Sequence, residues 1–541
     1  MGEQQGPKCS LLYSFVGIRY LFLTYVTVLV PLLILKANYS LWLDEAYSVF
    51  VARKPFGELV NALWLETWPP LYYIVLSFWI KLFGDNEQSV RSLSVVVFLL
   101  CLFATYRLAM NVFPDRRVAL YTAWLFGVTQ LAVSHATNAR GYMMLCLVSA
   151  IATNEFFAMV YRDERRNSVV LFYVVACYAG LMTHYSFVYV VFMHLFLSAI
   201  KSRKRLMRLL LSYGLAACVF GLTWGAVFLH QLLYIAPLAL TWIKPTFTMT
   251  VINGLLAPFG SLSGNVRNTV ATFVSWSVLL LPLAISGWRK RPNVDTRMKD
   301  MLIMTAVGFA ALLIVSRFKP SYAPGRQDVI FLPLICLILA KGLCTFASAR
   351  ATLMVLLSLS LLRIGIATYL ITRSDAGTDR WVARMICSLA QRNDAVVLTD
   401  LSWCGVNYYL EKICHSKDLE IIAFPSDIPS HPGWRNLRQI AEPDRLEEEI
   451  TILTERIDSA RRKGSANVIV GINPAPVYQV IPRRLSNHLT FVGRWDVLNY
   501  DKTGTFVSEI LQYSLRPPPP RPSPSGKARG DSPTRAGPPS R

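Results

Sequence analysis

An acidic pair, Asp44 and Glu45, stands just after the first long apolar run of this sequence. Polar and aromatic side chains return at the ends of later apolar runs: Arg140 and Tyr142, His184 and Tyr185, then Arg317, Lys319, Tyr322 and Arg326. Carboxylates beside a bilayer are costly and are normally kept for function, so the pair points to chemistry at the boundary between lipid and water. A carboxylate there acts as a general base when a hydroxyl lies within hydrogen-bond reach. The bland alternative is that the pair caps a helix and carries solvated charge. Each cation likewise suits either a bound anion or the anchoring of a helix end at the interface, and an aromatic belt accounts for the tyrosines without any substrate.

The elements that must position these groups are membrane helices. Of 541 residues 53% are apolar, and the mean hydropathy of +0.39 exceeds what one water-soluble core requires. Runs long enough to cross ~30 Å of hydrocarbon fall near 16–35, 91–112, 118–135, 141–160, 168–183, 187–200, 209–234, 269–287, 300–316, 327–346 and 351–371, about eleven spans. The formal charge of +22 is spread over short clusters between these runs and forms no single basic face, so no nucleic-acid partner is expected. The clusters recur at every second junction: Arg116 and Arg117; Arg162, Arg165 and Arg166; Lys201, Arg203, Lys204 and Arg205; Arg289, Lys290 and Arg291; Lys341 and Arg350. The positive-inside rule makes them cytoplasmic. That parity holds only if the short apolar stretch Leu71 to Phe83 does not cross, so it is expected as a helix along the outer surface. The N-terminus is then cytoplasmic and everything after residue 372 lies outside. With no small-residue cleavage site after the first run, that run is expected to stay as an anchor.

Three units follow. Residues 1–372 form the membrane domain, with an outer loop at 36–90. Residues 373–515 alternate short β-rich runs (395–400, 419–424, 467–471) with helical stretches (381–391, 444–462), the pattern of a small α/β domain outside the membrane. From Arg516 onward Pro, Ser, Gly and Arg dominate, which predicts a disordered tail. Seven of the ten cysteines lie in or beside apolar runs without metal-ligand spacing; of the other three, Cys404 and Cys414 are one candidate bridge. No histidine–cysteine–carboxylate cluster has metal-binding spacing, so no cofactor is expected, although a divalent ion remains open. No phosphate-binding glycine loop for a nucleotide is present either.

In order, the sequence reads Leu41-Trp-Leu-Asp44-Glu45-Ala-Tyr47, Trp68-Pro69-Pro70-Leu-Tyr72-Tyr73, Phe83-Gly84-Asp85, Arg91 and Asn138-Ala-Arg140-Gly-Tyr142. This series resembles the GT-C class of polyprenyl-phosphate-sugar-dependent glycosyltransferases, in particular the bacterial relatives of protein O-mannosyltransferases, the aminoarabinose transferase of lipid A and the Rgt-type enzymes. The resemblance is strongest over residues 15–200. It implies a polytopic helical GT-C fold and an inverting transfer of a hexose or pentose from a polyprenyl phosphate carrier to an acceptor hydroxyl on lipid, polysaccharide or protein. It also implies a bacterial inner membrane with the reaction at its outer face.

The family's catalytic acid matches Asp44, with Glu45 beside it in an orienting or acceptor-binding role. Arg140 and Tyr142 match the family's Arg-x-Tyr position, and Arg326 resembles a later Arg-Tyr pattern with Gln327 where Tyr is usual. Arg317, Lys319 and Tyr322 belong to the same outer connection, and His184-Tyr185 matches a frequent His-Tyr pair. Trp68 stands where His is frequent before the two prolines, and Glu66 is a candidate second acid. Arg91 reads as a structural partner. A transporter or flippase for a lipid-linked saccharide is the alternative, since many spans with scattered charges also suit transport.

Overall fold

The computed structural model describes residues 15–161, 167–241, 243, 247–261, 266–287, 295–319, 321–372, 374–434, 437–497 and 505–515. The Pro- and Arg-rich segment 516–541 and the basic clusters at 162–166 and 289–291 lie outside them.

Most of the chain is helical. Among the described residues six helices are long and apolar enough to cross a membrane: Val16–Lys36, Glu87–Val112, Tyr142–Tyr161, Arg203–Ala239, Thr296–Phe318 and Ala349–Ile371. Shorter apolar helices include Asn167–Thr183, Phe187–Lys201 and Leu332–Phe346. The expected span 118–135 is not one rod. Thr129 leaves the helical region and breaks it into Arg116–Val128 and Gln130–Ala136, with the Thr129 hydroxyl capping the second piece through Ala132 N. Phe247–Leu256, unforeseen in the sequence, is a further apolar helix.

Outside the long helices, residues 43–83 fold into three short ones, Leu43–Ala52, Phe56–Trp64 and Leu71–Phe83. The last has the bounds read from the sequence. It starts directly after Pro70, where the missing N–H costs nothing, and it buries Tyr72, Tyr73, Leu76 and Ser77 while Phe78, Leu82 and Phe83 stay exposed.

Residues 379–515 carry a five-stranded sheet in the order β2-β1-β3-β5-β4, with β1 Ala395–Thr399, β2 Glu420–Phe424, β3 Asn467–Ile472, β4 Thr490–Asp496 and β5 Glu509–Ser514. The first three strands pair in parallel and the last two antiparallel. β1 is buried along its whole length, which explains its unbroken apolar sequence. Strands β4 and β5 escaped the sequence reading because β4 has no buried position and neither carries an unbroken apolar run. Cys414 bonds to Cys387, whereas Cys404 is a buried free thiol, so the expected 404–414 bridge is corrected. The cause is local: Cys404 and Cys414 sit at opposite ends of one helix, Ser402–Ile413 and its cap, and a rigid helix holds them too far apart to bond.

This α/β unit is seated on the loop 36–90 by polar contacts. Tyr409 Oη accepts from Leu41 N at 2.8 Å, Arg53 bonds Glu411 at 3.0 Å, Lys412 bonds Asp85 at 2.9 Å and Arg380 bonds Glu87 at 3.3 Å. Phe50 meets Trp403 edge to face at 5.8 Å.

Candidate active site

The site is built on the link between the Leu43–Ala52 helix and the turn before Tyr142. Glu45 is 1% exposed. Arg91 reaches it with both Nε, at 2.7 Å, and Nη2. The same guanidinium group binds the carbonyls of Ala37 at 2.9 Å and Ser40 at 3.0 Å, and that of Tyr39, closing the exit from the first membrane helix. The carboxylate of Glu45 also accepts from Trp42 N at 3.3 Å and Ala139 N at 2.8 Å. Every lone pair it can offer is directed at its own chain, so Glu45 positions its neighbours and has no oxygen left for a substrate. Arg91 is its structural partner.

Because Glu45 holds Ala139, residue 140 is brought against residue 44. Arg140 is 5% exposed and donates through Nη1 to Asp44 O at 3.2 Å and Tyr73 Oη at 3.2 Å, with its guanidinium carbon 4.3 Å from the Trp68 ring centre. Its Nε lies 3.9 Å from Asp44 Oδ2 and makes no hydrogen bond. Arg326 approaches the same carboxylate oxygen, with Nη1 3.4 Å from Asp44 Oδ2 and 3.5 Å from Tyr142 Oη. It arrives after Gly325, whose φ of +82° suits glycine and whose carbonyl contacts His135 Nε2 at 2.8 Å. Asp44 therefore sits between two guanidinium groups. Neither separation reaches the about 2.7–2.9 Å of a tight charge-assisted bond.

Tyr142 packs against Trp68 edge to face at 5.1 Å, and His184 meets the same indole at 4.6 Å while its Nδ1 accepts from Ser186 N. Trp68 thus fills the place read as a departure from the family pattern and forms a floor under Arg140. Glu66 is buried, 6% exposed, and burial pushes its carboxyl up to about 7 against the pull of Thr67 N–H and Arg140.

The remaining expected residues lie apart from Asp44. Tyr185 donates to Gln231 and accepts from Trp224 Nε1 at 3.1 Å, and Gln231 in turn holds the Leu63 carbonyl at 2.6 Å. It braces the loop below Trp68. Tyr322 is buried and donates to Asp328, while Arg317 is exposed and Lys319 reaches only the Leu232 carbonyl at 3.4 Å. Of the four cations weighed on the sequence, two converge on Asp44 and two do not.

The sequence reading did not name the residues by which the α/β domain reaches the site. Trp434 Nε1 donates to the Leu65 carbonyl at 2.7 Å, and Gly433 lies directly on Glu66 and Tyr47. The signal available was a His-Pro-Gly-Trp segment with an aromatic residue next to a turn. Among the described residues, no three His, Cys, Asp or Glu side chains gather as a metal site. An apolar cavity of about 270 Å³ opens between the Phe247–Leu256, Thr296–Phe318 and Leu332–Phe346 helices, lined by Leu255, Ala306, Phe309, Phe331 and Ile335, with Asp328 at its polar end.

Residues 67–230 match the family model described as dolichyl-phosphate-mannose-protein mannosyltransferase. The structure resembles that of ArnT from Cupriavidus metallidurans bound to undecaprenyl phosphate, with a TM-score of 0.58 at 11% identity over 92% of this chain and 98% of that one. The apo state of the same protein gives 0.57 at 11% identity, over 91% and 97%. A search among curated proteins finds no match by sequence. The chain has the fold of the GT-C membrane glycosyltransferases.

Proposed function

We propose that the protein is an inverting glycosyltransferase that moves a sugar from a polyprenyl phosphate carrier to an acceptor hydroxyl at the outer face of the membrane, in a bacterial inner membrane whose cytoplasmic side carries the N-terminus. The observation that carries this reading is the convergence of Arg140 and Arg326 on Asp44, with a buried Arg140 Nε that has no hydrogen bond. Buried guanidinium donors are normally satisfied, and an unsatisfied one suits a phosphate oxygen.

In the proposed step Asp44 takes the proton of the acceptor hydroxyl as its oxygen attacks the anomeric carbon. The bond from that carbon to the phosphate oxygen breaks, and the electron pair leaves with the polyprenyl phosphate. Arg140 and Arg326 hold the charge that develops there, and we assign that task to them rather than to a divalent ion. One displacement inverts the anomeric centre, so a single base suffices. Glu45 and Arg91 keep the base and Arg140 in register. The apolar cavity ending at Asp328 suits the first isoprene units of the carrier. ArnT from Cupriavidus metallidurans, the structural neighbour, was crystallised with undecaprenyl phosphate.

The test is sugar transfer in detergent from a synthetic short-chain polyprenyl phosphate sugar, with the anomeric configuration of the product read by NMR. Inverted product that disappears in Asp44→Asn is expected. Product of retained configuration, or movement of the lipid across a bilayer without transfer, overturns the reading.

A further inference from the structure

We infer that Glu66 recognises the acceptor, taking a second hydroxyl of a sugar or polyol while the first is deprotonated at Asp44. The inference rests on the transfer proposed above and adds the class of acceptor it serves.

Glu66 lies in the outer loop, two residues before Trp68, and its residue surface is 6% exposed. Oε2 accepts from Thr67 N at 3.0 Å, whereas Oε1 makes no hydrogen bond among the described residues. Glu66 as a residue is largely buried, and a carboxylate oxygen there without a donor from the chain calls for one from outside. The Tyr47 hydroxyl, on the neighbouring helix, is likewise without a hydrogen bond among the described residues.

The wall behind Oε1 comes from the α/β domain. A Cβ on Gly433 would stand 2.4 Å from Oε1 and 3.2 Å from Tyr47 Cδ2, so only glycine lets the backbone lie this close. Trp434 fixes that backbone through its bond to Leu65, and His431 stacks on Trp434 at 4.5 Å. Arg140 acts electrostatically on both Asp44 and Glu66, which ties the two carboxylates to one site. A carboxylate oxygen set among tyrosine and tryptophan rings has the chemistry of a sugar subsite: the acid takes a hydroxyl and the rings take the C–H face. A serine or threonine side chain offers one hydroxyl, and Asp44 consumes it. A sugar or polyol offers a neighbour for Glu66.

The experiment compares wild type with Glu66→Gln, which keeps the Thr67 bond through its amide oxygen. Initial rates are measured in detergent with the short-chain donor and two acceptor sets, free oligosaccharides or polyols and serine/threonine peptides. The expected result is that wild type glycosylates the polyhydroxyl set. Glu66→Gln then raises the acceptor KM about ten- to hundredfold, the usual loss for a hydrogen bond to a charged group, while the donor KM shifts far less. An equal rise in both KM values means a structural role and overturns the inference. So does a fall in kcat at constant acceptor KM, or a preference for the peptides. If wild type transfers to neither set and leaves the donor intact, the proposed transferase itself fails and the inference falls with it.

Discussion

Arg326 Nη1 lies 3.4 Å from Asp44 Oδ2 although 282 residues separate the two in the chain. Between them run most of the long apolar helices, so this ion pair records how the second half of the helical domain closes on the loop 36–90. With Arg140 at 3.9 Å from the same oxygen, Asp44 is held in place without being locked into a bidentate pair.

Asp44→Asn keeps the shape of the side chain and removes its ability to take a proton. Transfer is expected to fall by about 10²–10⁴-fold, the usual contribution of a general base, with a much smaller change in donor KM. Steady-state kinetics on the purified variant decide this, and a residual rate within tenfold of wild type removes Asp44 from the role.

Glu45→Ala leaves the Arg91 guanidinium buried without its counter-ion. Breaking one partner of such a pair costs about 3–5 kcal/mol, so the thermal midpoint in detergent should drop sharply. Replacing both, as Glu45→Gln with Arg91→Met, is expected to recover part of the loss. A Glu45→Ala protein of normal midpoint but no activity would make Glu45 catalytic instead of positional.

Arg140→Lys and Arg326→Lys retain charge but lose the planar fork. Each is expected to lower kcat/KM for the donor about ten- to hundredfold, as one or two charge-assisted bonds are lost. Arg317→Lys, on an exposed cation away from Asp44, serves as comparison and should change little. Loss confined to Arg317→Lys would move the phosphate site.

Ala306→Phe fills the apolar cavity beneath Asp328. If the carrier chain enters there, long-chain donors should suffer several-fold more in KM than donors truncated to one or two isoprene units. Equal effects on both would place the chain elsewhere.

The carboxyl of Glu66, pushed up to about 7 by burial from an ordinary 4.5, gives a pH signature. Facing it are Asp44, which raises it further, and Arg140 and His431, which lower it; the Tyr47 ring lies alongside. As a recognition carboxylate it works when ionised, so the acceptor KM should fall as pH rises through 7 and flatten above it. The stability sign is opposite: the folded state keeps the proton that the unfolded chain releases near 4.5, so this residue's contribution to stability declines between 4.5 and about 7 as pH rises. Glu66→Gln should abolish the acceptor KM inflection, read from pH-rate profiles.

Much of the scaffold was readable before any coordinates. Apolar runs of membrane length located the helices because hydrocarbon forces backbone groups to pair within each segment. Leu71–Phe83 announced itself by its length and by the two prolines before it. Asp44, Arg140 and Tyr142 stood out as candidates because few residue types survive at a membrane edge without a use. The break at Thr129, the pairing of Cys387 with Cys414 and the strand β4 were not, since each depends on a partner outside its own segment: Leu131 N donates to the Pro258 carbonyl, Cys414 meets Cys387 across 27 residues, and β4 pairs with β5.

The sequence by itself determined that this is a membrane-embedded helical protein with a carboxylate and several cations at one edge, because periodicity, run length and charge placement are local properties. Only the tertiary structure decided what holds each of the two adjacent acids. Glu45 is consumed by Arg91 and Ala139, while Asp44 faces Arg140 and Arg326. It also decided that Gly433, nearly four hundred residues away, backs Glu66. Adjacent residues on a helix point about 100° apart, and which direction meets a partner is set by how distant helices and the α/β domain pack, which no local pattern encodes.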